Sequence, residues 1–106
     1  MLNNLLRRRP DNQFAPLQIG AFEVSIQASA GSCSTPRGVT LPTAEGYTAF
    51  QVAIFDTNGW VQPHTDPRFA GRAWTHRFKE FGWAAMGEFV PREEVEQILA
   101  DLATHT

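Results

Sequence analysis

Apolar and polar residues follow two periods along the chain. Over residues 18–30 the period is two: Phe22, Val24, Ile26 and Ala28 fall on one side, Glu23, Ser25, Gln27 and Ser29 on the other. That alternation predicts a half-buried strand. A second strand is predicted over residues 47–56, where Phe50, Val52 and Ile54 share one face and Tyr47, Ala49, Ala53 and Phe55 the other. Apolar groups on both sides mark it as a central strand. Asn58-Gly59 tolerates the positive φ of a tight turn, and Trp60-Val61 begins a return strand.

The last quarter of the chain changes period. Trp83 to Val90 is a short, mostly apolar run that ends at Pro91, and a residue before proline is pushed toward extended geometry. From Arg92 onward Val95, Ile98, Leu99 and Leu102 recur at helical spacing and form one apolar stripe. Pro91 is expected at the first helical position, where its missing N–H has no intrahelical partner. Glu93, Glu94 and Glu96 place negative charge near the positive end of the helix dipole. Residues 68–81 fit both periods. A helix would align Ala70, Trp74, Phe78 and Phe81, whereas a strand would align Trp74, His76 and Phe78. The longer apolar match favours the helix.

The expected architecture is therefore α+β: a small, mainly antiparallel sheet of three to four strands, a C-terminal helix packed on one face, and a second short helix over about residues 67–81. Residues 1–17, with Arg7, Arg8, Arg9, Pro10 and Pro16, are expected as a flexible N-terminal arm, and residues 18–106 as a single domain. Residues 31–46, rich in Gly, Ser, Thr and Pro, form a long loop of the kind that is functional or mobile in small domains.

Composition narrows the function classes. The chain has 106 residues, a formal net charge of −2 and 19% charged residues, which points away from disorder and from a strongly polyionic partner. No apolar run reaches the length needed to span a bilayer, so no membrane association is expected. Cys33 is the single cysteine and has no internal disulfide partner, which fits a cytoplasmic location.

The run Phe22-Glu23-Val24-Ser25-Ile26-Gln27-Ala28-Ser29, the pair Pro36-Arg37, and Phe89-Val90-Pro91 opening a helix with Val95 and Ile98 resemble short uncharacterised proteins of bacterial and phage genomes. The resemblance implies a small accessory or inhibitor protein of a phage or mobile element that works by binding a larger protein. It brings no catalytic signature and no cofactor.

Three chemistries are weighed beside that expectation. Cys33 lies between small residues, Gly31-Ser32-Cys33-Ser34-Thr35, where a thiol could be presented as a nucleophile in a small enzyme if a histidine or Arg37 generated the thiolate. His64, Asp66 and His76 have the residue types of a two-histidine, one-carboxylate metal site, but their spacing is no signature and no metal is expected. Arg68, Arg72, Arg77 and Lys79, interleaved with Phe69, Trp74 and Phe78, have the composition of a single-stranded nucleic-acid platform. The acidic residues from Glu80 to Asp101 offer this basic segment an internal counterpart. The leading expectation is a protein-binding module, with Arg37, Trp60, Arg68, Arg72, Trp74 and Arg77 as candidate binding residues. Another protein is the expected partner, and nucleic acid is the alternative.

Overall fold

The computed structural model describes residues 2–105. A short helix, α1 (Leu2–Leu5), is followed by the hairpin strands β1 (Leu17–Ile19) and β2 (Phe22–Gln27), then β3 (Ala49–Asp56) and β4 (Gly59–Trp60). Two 3-10 turns, Pro67–Phe69 and Ala73–Arg77, lead into β5 (Phe78–Phe81), β6 (Ala84–Pro91) and the C-terminal helix α2 (Arg92–Ala103). The sheet runs β1-β2-β3-β6-β5, every pairing is antiparallel, and β4 pairs with the end of β3.

β3 is the central strand, as its two-sided pattern predicts. Val24 opposes Ile54 and Ile26 opposes Val52, so β2 and β3 present their apolar residues to one face. Val90 joins that face opposite Phe50. The α2 stripe closes over it: Val95, Ile98 and Leu102 are fully buried and Leu99 nearly so. Trp74, Phe69 and Phe78 complete the same core, and the Trp74 indole N–H donates to the buried Asp101 carboxylate of α2 at 2.7 Å.

β6 carries a bulge. Between its pairings with Phe50 and Val52 it spends three steps, Gly87 to Val90, against two on β3. Phe89 takes up the extra residue in the left-handed region at φ 50°, a conformation that costs a non-glycine residue about 1–2 kcal/mol. Gly87 is required there: a Cβ would come within 2.9 Å of the Val90 side chain and 3.3 Å of the Phe78 ring.

The α+β class, the antiparallel sheet and the helix over one face agree with the sequence pattern, but several elements differ. The sheet has six strands rather than three or four. β1 is too short to show a period, and β5 was concealed within the helical spacing of residues 68–81. That stretch is no helix: Gly71 sits at φ 85°, the chain makes two 3-10 turns, and Phe78–Phe81 is extended. The second short α-helix is instead Leu2–Leu5. Residues 2–17 are not held apart from the body, because Leu2, Leu6 and Phe14 are buried in the common core. Gln27 secures Phe14 by accepting its N–H at 2.7 Å and donating to its C=O at 2.8 Å. Pro91 closes β6 and precedes α2, one position earlier than expected.

Leu99→Ala should lower the unfolding free energy by about 2–5 kcal/mol through the cavity it leaves, measured by urea denaturation. An unchanged midpoint would contradict the placement of α2 against the sheet.

Candidate functional site

The sheet face turned away from α2 is the candidate site. Pairing places Gln51, Ala53 and Phe55 of β3 on it, with Met86 and Glu88 of β6 and Lys79 and Phe81 of β5. Trp60 lies opposite Phe55, so the two side chains share this face, and their rings meet at 4.5 Å. The Trp60 ring in turn meets Trp83 edge-on at 5.7 Å. This row of rings ends in solvent at Trp83, which is 75% exposed, and Phe81 on the same hairpin is 50% exposed.

Two tight turns hold the row. At the first, Gly59 adopts φ 103° and the Asn58 N–H donates to the Asp56 carboxylate at 2.8 Å, which turns the chain so that Trp60 returns beside Phe55. At the second, Gly82 at φ 67° lets β5 reverse into β6 and leaves Trp83 at the tip of the hairpin. Trp60 was anticipated as a binding residue. Phe55, Phe81 and Trp83 were not, although a tryptophan directly after a turn glycine is a local signal for an aromatic with no core to enter.

At the opposite end of this face, residues near Cys33 fold over the β6 bulge. The Cys33 N–H donates to the Gln51 side chain at 3.0 Å and its C=O accepts from the Phe89 N–H at 3.0 Å. The Cys33 thiol donates to the Glu88 carboxylate at 3.1 Å. That hydrogen bond, with burial and the Glu88 charge, holds the thiol pKa above its ordinary value, while Arg37 and Lys79 pull weakly the other way. A protonated thiol on a carboxylate is the reverse of an activated nucleophile. Arg37 lies over the Phe89 ring at 5.6 Å. Beside it, His76, Arg77, Lys79, Glu88 and Phe89 line an open cleft of ≈ 300 Å³.

The other anticipated binding residues are engaged within the fold. Arg68 reaches both Asp66, at 2.7 Å, and Asp56, at 3.1 Å. Arg77 makes a two-pronged contact with Glu94 of α2 at 3.0 Å, and Arg72 lies 3.6 Å from Asp101. Arg72 and Arg77 thus face the acidic helix, whereas Arg68 and Lys79 pair with acids elsewhere. Trp74 is a core residue, 1% exposed. His64 lies 3.9 Å from Glu80, Asp66 is taken by Arg68, and the His76 ring contacts the Ala73 carbonyl. Among the described residues, no group of three or more His, Cys, Asp or Glu side chains is placed to hold a metal ion. No helix among them is long and apolar enough to cross a membrane.

Glu88→Ala should lower the Cys33 pKa toward its ordinary value and speed alkylation at mildly alkaline pH, read as the pH profile of iodoacetamide modification. An unchanged profile would contradict the thiol–carboxylate contact. Asp66 and Glu94 are both held below the usual carboxylate range by hydrogen bonds to Arg68 and Arg77 respectively. Their stabilisation is complete above the unfolded carboxylate pKa of about 4 and is lost as pH falls through the depressed folded values. Urea midpoints should therefore drop in acid, with a shallower drop in Arg77→Ala.

No family model matches this chain, and neither does a curated protein or a solved structure.

Proposed function

We propose that this protein is a protein-binding module whose contact surface is the open face of its sheet, centred on Trp60, Phe81 and Trp83. The observation that carries this reading is the aromatic row, which starts at the half-buried Phe55 and Trp60 and runs out to a tryptophan three-quarters exposed. An indole of this size left in water forgoes about 3–5 kcal/mol of apolar burial that a partner would recover. Contiguous exposed apolar surface anchored by tryptophan is the usual energetic centre of a protein interface.

The charge arrangement supports an apolar rather than an ionic mode of binding. Arg68, Arg72 and Arg77 are committed to carboxylates of the same chain, and the open face carries Glu23 and Glu88 beside Lys79. Phosphate recognition would have to displace those internal pairs, whereas an apolar partner leaves them intact.

Trp83→Ala combined with Phe81→Ala should abolish affinity capture of the partner by the immobilised protein. Its melting temperature should stay close to the parent's, because neither side chain enters the core. Binding should also change little between low and moderate salt. Equal capture by parent and double variant would overturn the assignment of this face, and a steep fall with salt would favour nucleic acid instead.

A further inference from the structure

The open face continues onto a strand edge that, among the described residues, has no neighbouring strand. β5 is the last strand in the sheet order and pairs only with β6, whereas the opposite edge strand, β1, is three residues long and contacts α2. The direction of the β5 backbone groups follows from its hairpin. Gly82 and Trp83 form a two-residue loop, so Phe81 and Ala84 are the mutually hydrogen-bonded pair that flanks it. Hydrogen-bonded pairs alternate along an antiparallel ladder, which makes Lys79–Met86 the next one and turns the N–H and C=O of Glu80 toward the free edge. Among the described residues no hydrogen bond takes these two groups. One step earlier the edge is already closed, since the Phe78 N–H donates to the Thr75 carbonyl. The available edge therefore starts at Glu80 and runs toward the exposed Phe81 and Trp83.

A second copy of this chain is a poor occupant. In a two-fold pairing of β5 with itself, opposed residues must share a face, so only residues an even number apart can meet. The two registers that keep three residues of each strand paired set Lys79 against Lys79 or Glu80 against Glu80. Like charges directly opposed destabilise a strand pair and are a common guard against self-association. A different chain can instead meet these charges with complementary ones. Lys79 and Glu80 are 70% and 55% exposed, and their contacts within the chain, to Glu88 and His64, are long at 3.9 Å each. Such loose surface pairs are easily exchanged for others.

Building on the assignment of the open face as the binding surface, we infer that the partner contributes an extended segment that adds to β5 as an antiparallel strand. It exchanges hydrogen bonds with Glu80 and lays an apolar side chain beside Phe81 and Trp83. In its own direction the segment reads apolar, basic, acidic: the apolar residue opposite Phe81, the basic one opposite Glu80, the acidic one opposite Lys79. Main-chain pairing provides the affinity, and the alternating side chains provide the selection.

The test is selection of a displayed library of random dodecapeptides on the immobilised protein. The winners are then synthesised in two forms, with N-methyl groups on one or the other alternate set of amides. The inference expects the apolar-basic-acidic order among the winners. It also expects at least a tenfold loss of affinity for one methylated set only, and a similar loss on Glu80→Pro, which removes the outward N–H at an edge position where proline is tolerated. The methylated peptides decide the matter even if the proline variant fails to fold. Equal binding of both methylated sets overturns strand addition, as does a library that yields no binder. In the first case, peptides that still lose affinity for the Trp83→Ala, Phe81→Ala variant leave the open-face assignment standing. Peptides that bind this variant as tightly as the parent overturn both.

Discussion

A single sheet has two faces, and a chain of this size has one long helix with which to cover them. The apolar stripe of α2, built from Val95, Ile98, Leu99 and Leu102, is laid over one face and excludes water from it. Everything else in the fold accommodates that contact. β3 lies at the centre because it must pair on both sides beneath the helix, and Trp74 and Phe69 fill the margin of the same layer. Two-layer packing of this kind leaves the second face without a helix, and residues near Cys33 cover only one end of it. That face carries Phe55, Trp60 and Phe81 beside Gln51, Lys79, Met86 and Glu88.

Several arginines are tied into the fold. Arg92 donates to the carbonyls of Ala44 and Tyr47 and to the Asn3 side chain, tying the N-terminal segment to the end of the long loop. Arg8 lies over the Phe14 ring at 4.0 Å and donates to the carbonyls of Ala28 and Leu41. The Tyr47 hydroxyl also donates to the Val39 carbonyl and accepts from the Leu41 N–H. Residues 31–46, whose Gly, Pro and Ser content suggests a mobile recognition loop, are thereby bound to the body at several points. Arg68, Arg72 and Arg77 are paired to acids of the same chain as well.

The β6 bulge links the two faces. Through the extra residue at Phe89, the strand returns Val90 to the core after Glu88 has faced the open side, and it enters α2 directly through Pro91. The strain of Phe89 is held by its hydrogen bond to the Cys33 carbonyl and by Arg37 over its ring. Cys33 is thus a support for the bulge, and its thiol is kept protonated by Glu88.

The elements whose side chains keep one period throughout were legible from the residues: β2, β3, the β6-to-α2 junction and the helix stripe each depend on local spacing alone. The turn before Trp60 was legible in part: its loop residues are Thr57 and Asn58, and only Gly59, already paired with Asp56, takes the positive φ. The charge pattern also pointed to contacts between the basic stretch 68–79 and the acidic C-terminal helix, which the structure shows for Arg72 and Arg77. Tertiary structure decided the rest. β1 and β5 are strands because neighbours supply their hydrogen bonds, and Leu2, Leu6 and Phe14 are core because the body offers them a surface. Trp74 and Trp83 are the same residue type nine positions apart, yet one is buried on Asp101 and the other stands in solvent. Local pattern fixes where a side chain points relative to its own strand or helix, but which direction is inside depends on what the rest of the chain places there.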